Sequence, residues 1–348
     1  MSGARRLPPL PTVKDILRLY NISATKKLSQ NFILDPRQLD RIAGLASPQG
    51  KLLVEVGPGP GGITRSLLGQ GAARCAVIEK DCRFLPALNL LNEASGGRLD
   101  INIGDVMTFN MEKLFPHAPT SDWDGPPPNI EVIGNLPFNV STPLLIKWLE
   151  AISERKSVWG YGRVPLTLTF QLEVAQRMSA PPGNPIRSRL SVVCQNWTRV
   201  NHKFSIPGGA FTPKPDVDVA VVTMHPLTEP YISHPFRLVN KVVTNIFHGK
   251  KKKLYNSLPR LFPQSMSFLS KVILEETGLN PLMRPIDLDM NDWARLCDSY
   301  ARIVKLNPSL AKFKARVGDP DIEMLFDSSL TQPVNDQRLV LGNLSDGN

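Results

Sequence analysis

The run Ile130-Glu131-Val132-Ile133-Gly134 stops abruptly at Asn135-Leu136-Pro137-Phe138. Its first part is apolar and β-branched, the pattern of a strand buried on both faces. The stop carries the chemistry. Asn135 brings an amide with an acceptor and two donors. Pro137 fixes its own φ and pushes Leu136 towards extended backbone, so the turn is stiff. Phe138 adds an aromatic face. An amide acceptor, free backbone carbonyls and a ring would together hold a flat heterocycle by its exocyclic amine, as chemistry on a nucleobase amino group requires. Taken alone, the same residues equally suit an ordinary turn before a helix.

Three further strand ends carry polar groups that suit a nucleotide. A strand over Lys51 to Val56, containing Glu55, runs into Gly57-Pro58-Gly59-Pro60-Gly61-Gly62 and then a helix from Ile63 to about Leu68. Gly57, Gly59 and Gly62 match GxGxxG, where bare backbone can approach a ligand. A second strand, Ala76-Val77-Ile78, ends at Glu79-Lys80-Asp81. The Glu79 carboxylate can accept from both hydroxyls of a ribose diol. A third, Leu99 to Ile103, ends at Gly104-Asp105-Val106, where Asp105 could accept from an adenine amino group. Ligands of doubly wound sheets bind at this carboxyl edge. Each polar strand end has a bland alternative, a solvated acid or a plain turn. Four in succession make coincidence harder to sustain.

The elements that must position these groups follow an α/β pattern. Phe115 to Pro128 reads as a loop, Pro143 to Leu149 as a helix, Leu166 to Phe170 as a fifth strand, and Glu173 to Met178 as a helix. Arg187-Ser188-Arg189 opens another helix and offers a basic cluster for phosphate. Lys203-Phe204 and Val219 to Met224 read as a closing antiparallel pair. Between them, Phe211 sits in a glycine- and proline-rich loop and is a candidate stacking face, or a plug beneath that loop. From Phe236 the texture becomes helical, with Leu238, Val239, Val242, Val243 and Ile246 at helical spacing. Lys250 to Lys253 follow, a source of sequence-independent phosphate attraction. The pattern divides the chain into a basic segment (1–25), an α/β domain (26–228), a small all-helical domain (229–317) and a polar tail (318–348) whose composition suits disorder.

Composition sets the outer bounds. The 348 residues carry a formal charge of +10 with a pI near 9.5, which favours a polyanionic partner. Cys75, Cys82, Cys194 and Cys297 lack metal or disulfide spacing, as do the scattered histidines, so neither a metal site nor a disulfide framework is expected. No apolar run reaches the roughly 20 residues of a membrane span. The start, through Arg5, Arg6, Lys14 and Arg18, has no acid before Asp15. It suits either a mitochondrial targeting segment or a surface helix clamping the main domain.

Together these stretches resemble the ribosomal-RNA adenine dimethylases over roughly residues 26 to 305. The match rests on Leu28-Ser29-Gln30-Asn31-Phe32, Glu55 to Gly61, Glu79-Lys80-Asp81, Gly104-Asp105-Val106, Asn135 to Phe138 and Phe211 to Asp218. Arg6 to Thr12 and Tyr161-Gly162-Arg163 are similar to the mitochondrial branch in particular. The resemblance implies a Rossmann-like S-adenosylmethionine-dependent methyltransferase sheet with a small C-terminal helical domain. It implies N6,N6-dimethylation of two adjacent adenosines in a small-subunit rRNA hairpin loop, within the pre-ribosomal small subunit of mitochondria. It further implies a monomer, with an accessory role in mitochondrial transcription as an added expectation. Under it, Gln30, Asn31 and Ile33 belong to the loop over the cofactor. Gly57, with Gly59, meets the cofactor's amino-acid end, Glu79 and Lys80 its ribose, and Asp105 and Val106 its adenine. Asn135 stands between cofactor and target. Phe138 and Phe211 would stack on the adenosine, Pro137 would stiffen the turn, and the Asn135 and Leu136 carbonyls would accept from N6. Relatives often carry tyrosine at the Phe138 position. Three alternatives stay open: an NAD oxidoreductase, a DNA adenine methylase, and a non-catalytic assembly or transcription-accessory protein.

Overall fold

β-branched and leucine-rich strands alternate with amphipathic helices through the first two thirds of the chain, and a parallel sheet follows from that alternation. The computed structural model describes residues 7–24 and 30–313. In chain order the elements are α1 (Val13–Leu19), β1 (Phe32–Ile33), α2 (Pro36–Leu45), β2 (Leu52–Val56), α3 (Gly62–Gly69), β3 (Arg74–Glu79), α4 (Leu85–Ser95) and β4 (Leu99–Ile103). They continue with β5 (Ile130–Gly134), α5 (Phe138–Ser153), β6 (Leu166–Gln171), α6 (Leu172–Ser179), α7 (Arg189–Trp197), β7 (Thr198–Ile206), β8 (Phe211–Thr212) and β9 (Val219–Pro226). The helical remainder is α8 (Phe236–Phe247), α9 (Leu254–Ser257), α10 (Leu269–Thr277), α11 (Met290–Leu306) and α12 (Ser309–Lys312).

Seven strands form one sheet in the order β4-β3-β2-β5-β6-β9-β7. The first five are parallel, and β9 pairs antiparallel with both β6 and β7. Chain order reverses between β2 and β5, so the crevice for a ligand opens beyond Val56 and Gly134. Every residue of β5 is buried, as its apolar run predicts. The closing pair is longer on its β7 side than Lys203-Phe204 alone suggests, with an irregularity between His202 and Phe204.

Two other expectations shift. Helix α5 begins at Phe138, not Pro143, because Pro143 removes one ladder hydrogen bond without ending the helix. Arg187 is neither solvated nor open to phosphate. It is fully buried and donates to the Ala180 carbonyl at 2.6 Å and to Gln195 Oε1 at 3.1 Å. Burial lowers its pKa to about 10.

The basic N-terminal stretch packs as a clamp. Thr12 and Asp15 form a capping box, and Val13 and Ile16 are buried. Arg65 of α3 donates to the Pro11 carbonyl at 2.6 Å. The helical region is docked onto the sheet domain rather than tethered. Trp197 and Phe236 rings lie 4.9 Å apart, and Asn196 Oδ1 accepts from Ile232 N at 2.7 Å. Through residue 313 the described chain therefore belongs to one compact unit. Lys250 to Lys253 are exposed. No helix among the described residues is long and apolar enough to cross a membrane. The expected disordered tail, Arg5, Arg6 and Leu28-Ser29 lie outside the described residues.

Candidate active site

The crevice between β2 and β5 is a cavity lined by both strand ends. Ten of the anticipated residues line it: Gln30, Asn31, Ile33, Gly57, Gly59, Glu79 and the whole turn Asn135 to Phe138. The glycine loop is built from left-handed backbone, with φ of +67° at Gly57 and +53° at Gly59. A Cβ on Gly59 would stand 3.4 Å from the Phe32 ring. Glycine thus supplies both the turn and an uncovered backbone wall.

Glu79 ties that loop to the end of β3. Its Oε2 accepts from Gly59 N at 2.9 Å and its Oε1 from Asp81 N at 2.8 Å. Burial raises its pKa, opposed by those backbone donors. The carboxylate keeps acceptor capacity beyond these donors. Gln30 closes the same corner by donating to Asp81 Oδ2 at 3.0 Å.

At the end of β5, both ends of the Asn135 amide are engaged. Nδ2 donates to the Asn31 carbonyl at 2.9 Å, and Oδ1 accepts from Thr169 Oγ1 at 2.8 Å. One Oδ1 lone pair remains. Phe138 is half-buried beside it as the first residue of α5.

Four anticipated residues do not line the cavity. Phe211 is 3% exposed and packs into the hydrophobic core, with Phe211 facing Ile33 in the β1–β8 pair. It is the plug beneath its loop, not an open stacking face, because strand pairing turns the aromatic inward. Lys80, Asp105 and Val106 stand at the same sheet edge but outside the lining. Asp105 is occupied: Lys80 Nζ donates to it at 2.7 Å and Met107 N at 2.9 Å. Burial would raise its pKa, but these donors outweigh burial and hold it low.

Two lining or supporting residues escaped the sequence reading. Glu55 lines the cavity at 1% exposure, accepts from Thr64 Oγ1 at 2.5 Å, and is pushed up to about 8 by burial. An acid inside an apolar strand was the available signal. Thr169 is fully buried on β6. Its only trace in the sequence is the alternation Thr167-Leu168-Thr169, which places two hydroxyls on one face of a strand.

A glycine cradle, a buried carboxylate tied to it and an amide held at both ends thus meet at the sheet's switch point. The chain belongs to the ribosomal RNA adenine dimethylase family, whose match covers residues 21–301, and to its mitochondrial branch. It is 48% identical over 313 residues to dimethyladenosine transferase 1, mitochondrial, of Homo sapiens, spanning 89% of this chain and 90% of the relative. The Drosophila melanogaster relative of the same name is 40% identical, spanning 91% and 95%. Among solved structures, a dimethyladenosine transferase from Plasmodium falciparum superposes with a TM-score of 0.62 at 24% identity, covering 77% of this chain and 96% of that one. The 23S rRNA methyltransferase ErmE gives 0.53 at 21% identity, covering 77% and 98%. These two likenesses establish the fold.

Proposed function

We propose that this protein is a mitochondrial rRNA adenine N6,N6-dimethyltransferase that uses S-adenosylmethionine and acts on two adjacent adenosines in a small-subunit rRNA hairpin loop. The observation carrying this reading is the Asn135 amide, fixed at both ends on the wall of the cavity with one carbonyl lone pair left over. Family membership supplies the reaction class, and the names of the relatives support mitochondrial residence.

The cavity residues fit the donor. Gly57 and Gly59 present backbone without side chains, and Glu79 offers acceptors to a ribose diol. S-adenosylmethionine, when bound, supplies an electrophilic methyl group. The chain itself binds and orients. Phe138 stacks on the flipped adenine. Asn135 Oδ1 and the Leu136 carbonyl accept from the N6 hydrogens, which draws the nitrogen lone pair out of ring conjugation. Orientation and fixed dipoles carry the rate, so no base is required before transfer. Each round replaces one N6 hydrogen with a methyl group, and the displaced proton leaves to solvent. The pre-ribosomal small subunit is the natural partner, with Lys250 to Lys253 contacting its phosphates.

Primer extension on a small-subunit rRNA hairpin, with purified protein and S-adenosylmethionine, tests the reading. Asn135→Ala is expected to abolish dimethylation while leaving RNA binding largely intact. Undiminished methylation by that variant sinks the proposal.

A further inference from the structure

Asn135 is the last polar group before a turn, and the terminal torsion of an asparagine is broad and roughly two-fold. An isolated amide there would present oxygen or nitrogen to the cavity almost equally. Two neighbours remove that freedom. The Asn31 carbonyl can only accept, so it selects the Nδ2 end of the amide. Thr169 then donates its hydroxyl to Oδ1 at 2.8 Å. Thr169 lies on β6, adjacent to β5 through the Gly134–Leu168 pair, and is fully buried. A β-branched side chain in a central strand has a stiff χ1, so its hydroxyl is a fixed post.

We propose that Thr169 is a positioning residue: its hydroxyl occupies one lone pair of Asn135 Oδ1 and aims the other at the adenine N6. The inference rests on the proposed role of Asn135 and adds a consequence for the two methylation rounds. In the first round N6 carries two hydrogens, one for Oδ1 and one for the Leu136 carbonyl. In the second round N6 already bears a methyl group and offers a single hydrogen. Orientation then depends on one hydrogen bond, so the second round is the more sensitive to a wandering acceptor. Loss of the Thr169 hydroxyl should therefore stall the reaction at N6-monomethyladenosine.

Thr169→Val removes the hydroxyl at nearly constant shape, and Thr169→Ser keeps it. The full-length protein is assayed on the rRNA hairpin, with nucleoside mass spectrometry separating mono- from dimethylated adenosine. S-adenosylmethionine affinity is measured separately by calorimetry. For Thr169→Val, kcat is expected to fall about tenfold or more, as misplacement of a reacting group predicts. Monomethyladenosine should accumulate, with cofactor affinity within about twofold of the parent, since the bond at issue aims at the base. Thr169→Ser should restore dimethylation. A parental rate and product ratio for Thr169→Val, beside an inactive Asn135→Ala, overturns the role of Thr169 alone. An active Asn135→Ala overturns the underlying reading as well. A serine variant that fails to restore the product ratio also overturns the role, because the hydroxyl would not be the operative group. If the valine variant does not fold, Thr169→Ala read against Thr169→Ser decides the same question.

Discussion

The two central strands end in close contact. A Cβ built on Gly134 would stand 2.7 Å from the Val56 carbonyl oxygen and 3.3 Å from Leu136 Cδ2. Both obstacles are backbone or fully packed, so neither can swing aside. Gly134→Ala therefore has to part β2 from β5 by roughly half an ångström, at close to the separation where dispersion contacts weaken by a quarter or more. Overpacking of this kind costs about 1–3 kcal/mol in stability. The displacement falls one residue before Asn135 and one before Gly57, the two positions that flank the ligand crevice.

A misplacement of about 1 Å can cost about a hundredfold in rate. Half of that displacement should cost on the order of tenfold, or about 1.4 kcal/mol of barrier. The assay pairs urea midpoints with single-turnover methylation of the rRNA hairpin. Gly69→Ala is the control, because nothing lies within 4 Å of its added Cβ. It ends α3, where alanine should be neutral or stabilising by up to about 1 kcal/mol. A Gly134→Ala protein with parental midpoint and parental single-turnover rate refutes the claim that strand spacing sets the site.

Two more perturbations address charge. Neutralising Lys250 to Lys253 should weaken hairpin binding and flatten its salt dependence, by about 0.7–0.9 in logarithmic slope for each phosphate no longer neutralised; an unchanged slope in a salt titration makes those lysines a solvated face. Burial lifts Glu55 from 4.5 to about 8, so the folded ligand-free chain keeps a proton that the unfolded chain loses. Stability should then be greatest below about pH 4.5 as far as this group is concerned, and fall by up to about 1.4 kcal/mol per pH unit until about pH 8. Glu55→Gln should flatten that part of the urea-midpoint profile, and an unchanged profile shows that Glu55 does not carry it.

Residue type and strand position made much of this site legible. Glycines at 57 and 59, an acid at 79 and an amide at 135 all follow apolar runs, and a parallel sheet brings such strand ends to one edge. Direction was harder to read. Phe211 in a glycine- and proline-rich loop has the composition of an exposed platform, yet pairing with Ile33 turns it into the core. Arg187 looks like half of a basic cluster, but the Ala180 carbonyl and Gln195 hold it inside. In both cases a partner outside the local motif decides which way the side chain faces, from a distant strand for Phe211 and from the flanking helices for Arg187. Asp105 shows the same limit for charge, since Lys80 already occupies it. Thr169 was hidden for a different reason. A threonine in a strand needs no explanation beyond β propensity, and only its 2.8 Å hydrogen bond to Asn135 gives it another.

That hydrogen bond bears on why position 135 holds an amide and not an acid. Two demands are met there, a donor for the Asn31 carbonyl and an acceptor for the Thr169 hydroxyl, and the proposed mechanism adds a third, a second acceptor lone pair for the base. An aspartate satisfies the last two and fails the first, setting a carboxylate oxygen against a carbonyl oxygen. The Asn31 loop would lose its tie to β5, although Phe32 and Ile33 remain paired with β8. A neutral aspartic acid could donate, but only with a proton held on one oxygen and thus with its acceptor capacity reduced. Asparagine meets all three without titrating. Under the proposed mechanism, orientation of an exocyclic amine and anchoring of the loop over the cavity come from one uncharged side chain, the arrangement that a reaction limited by alignment rather than by proton removal calls for.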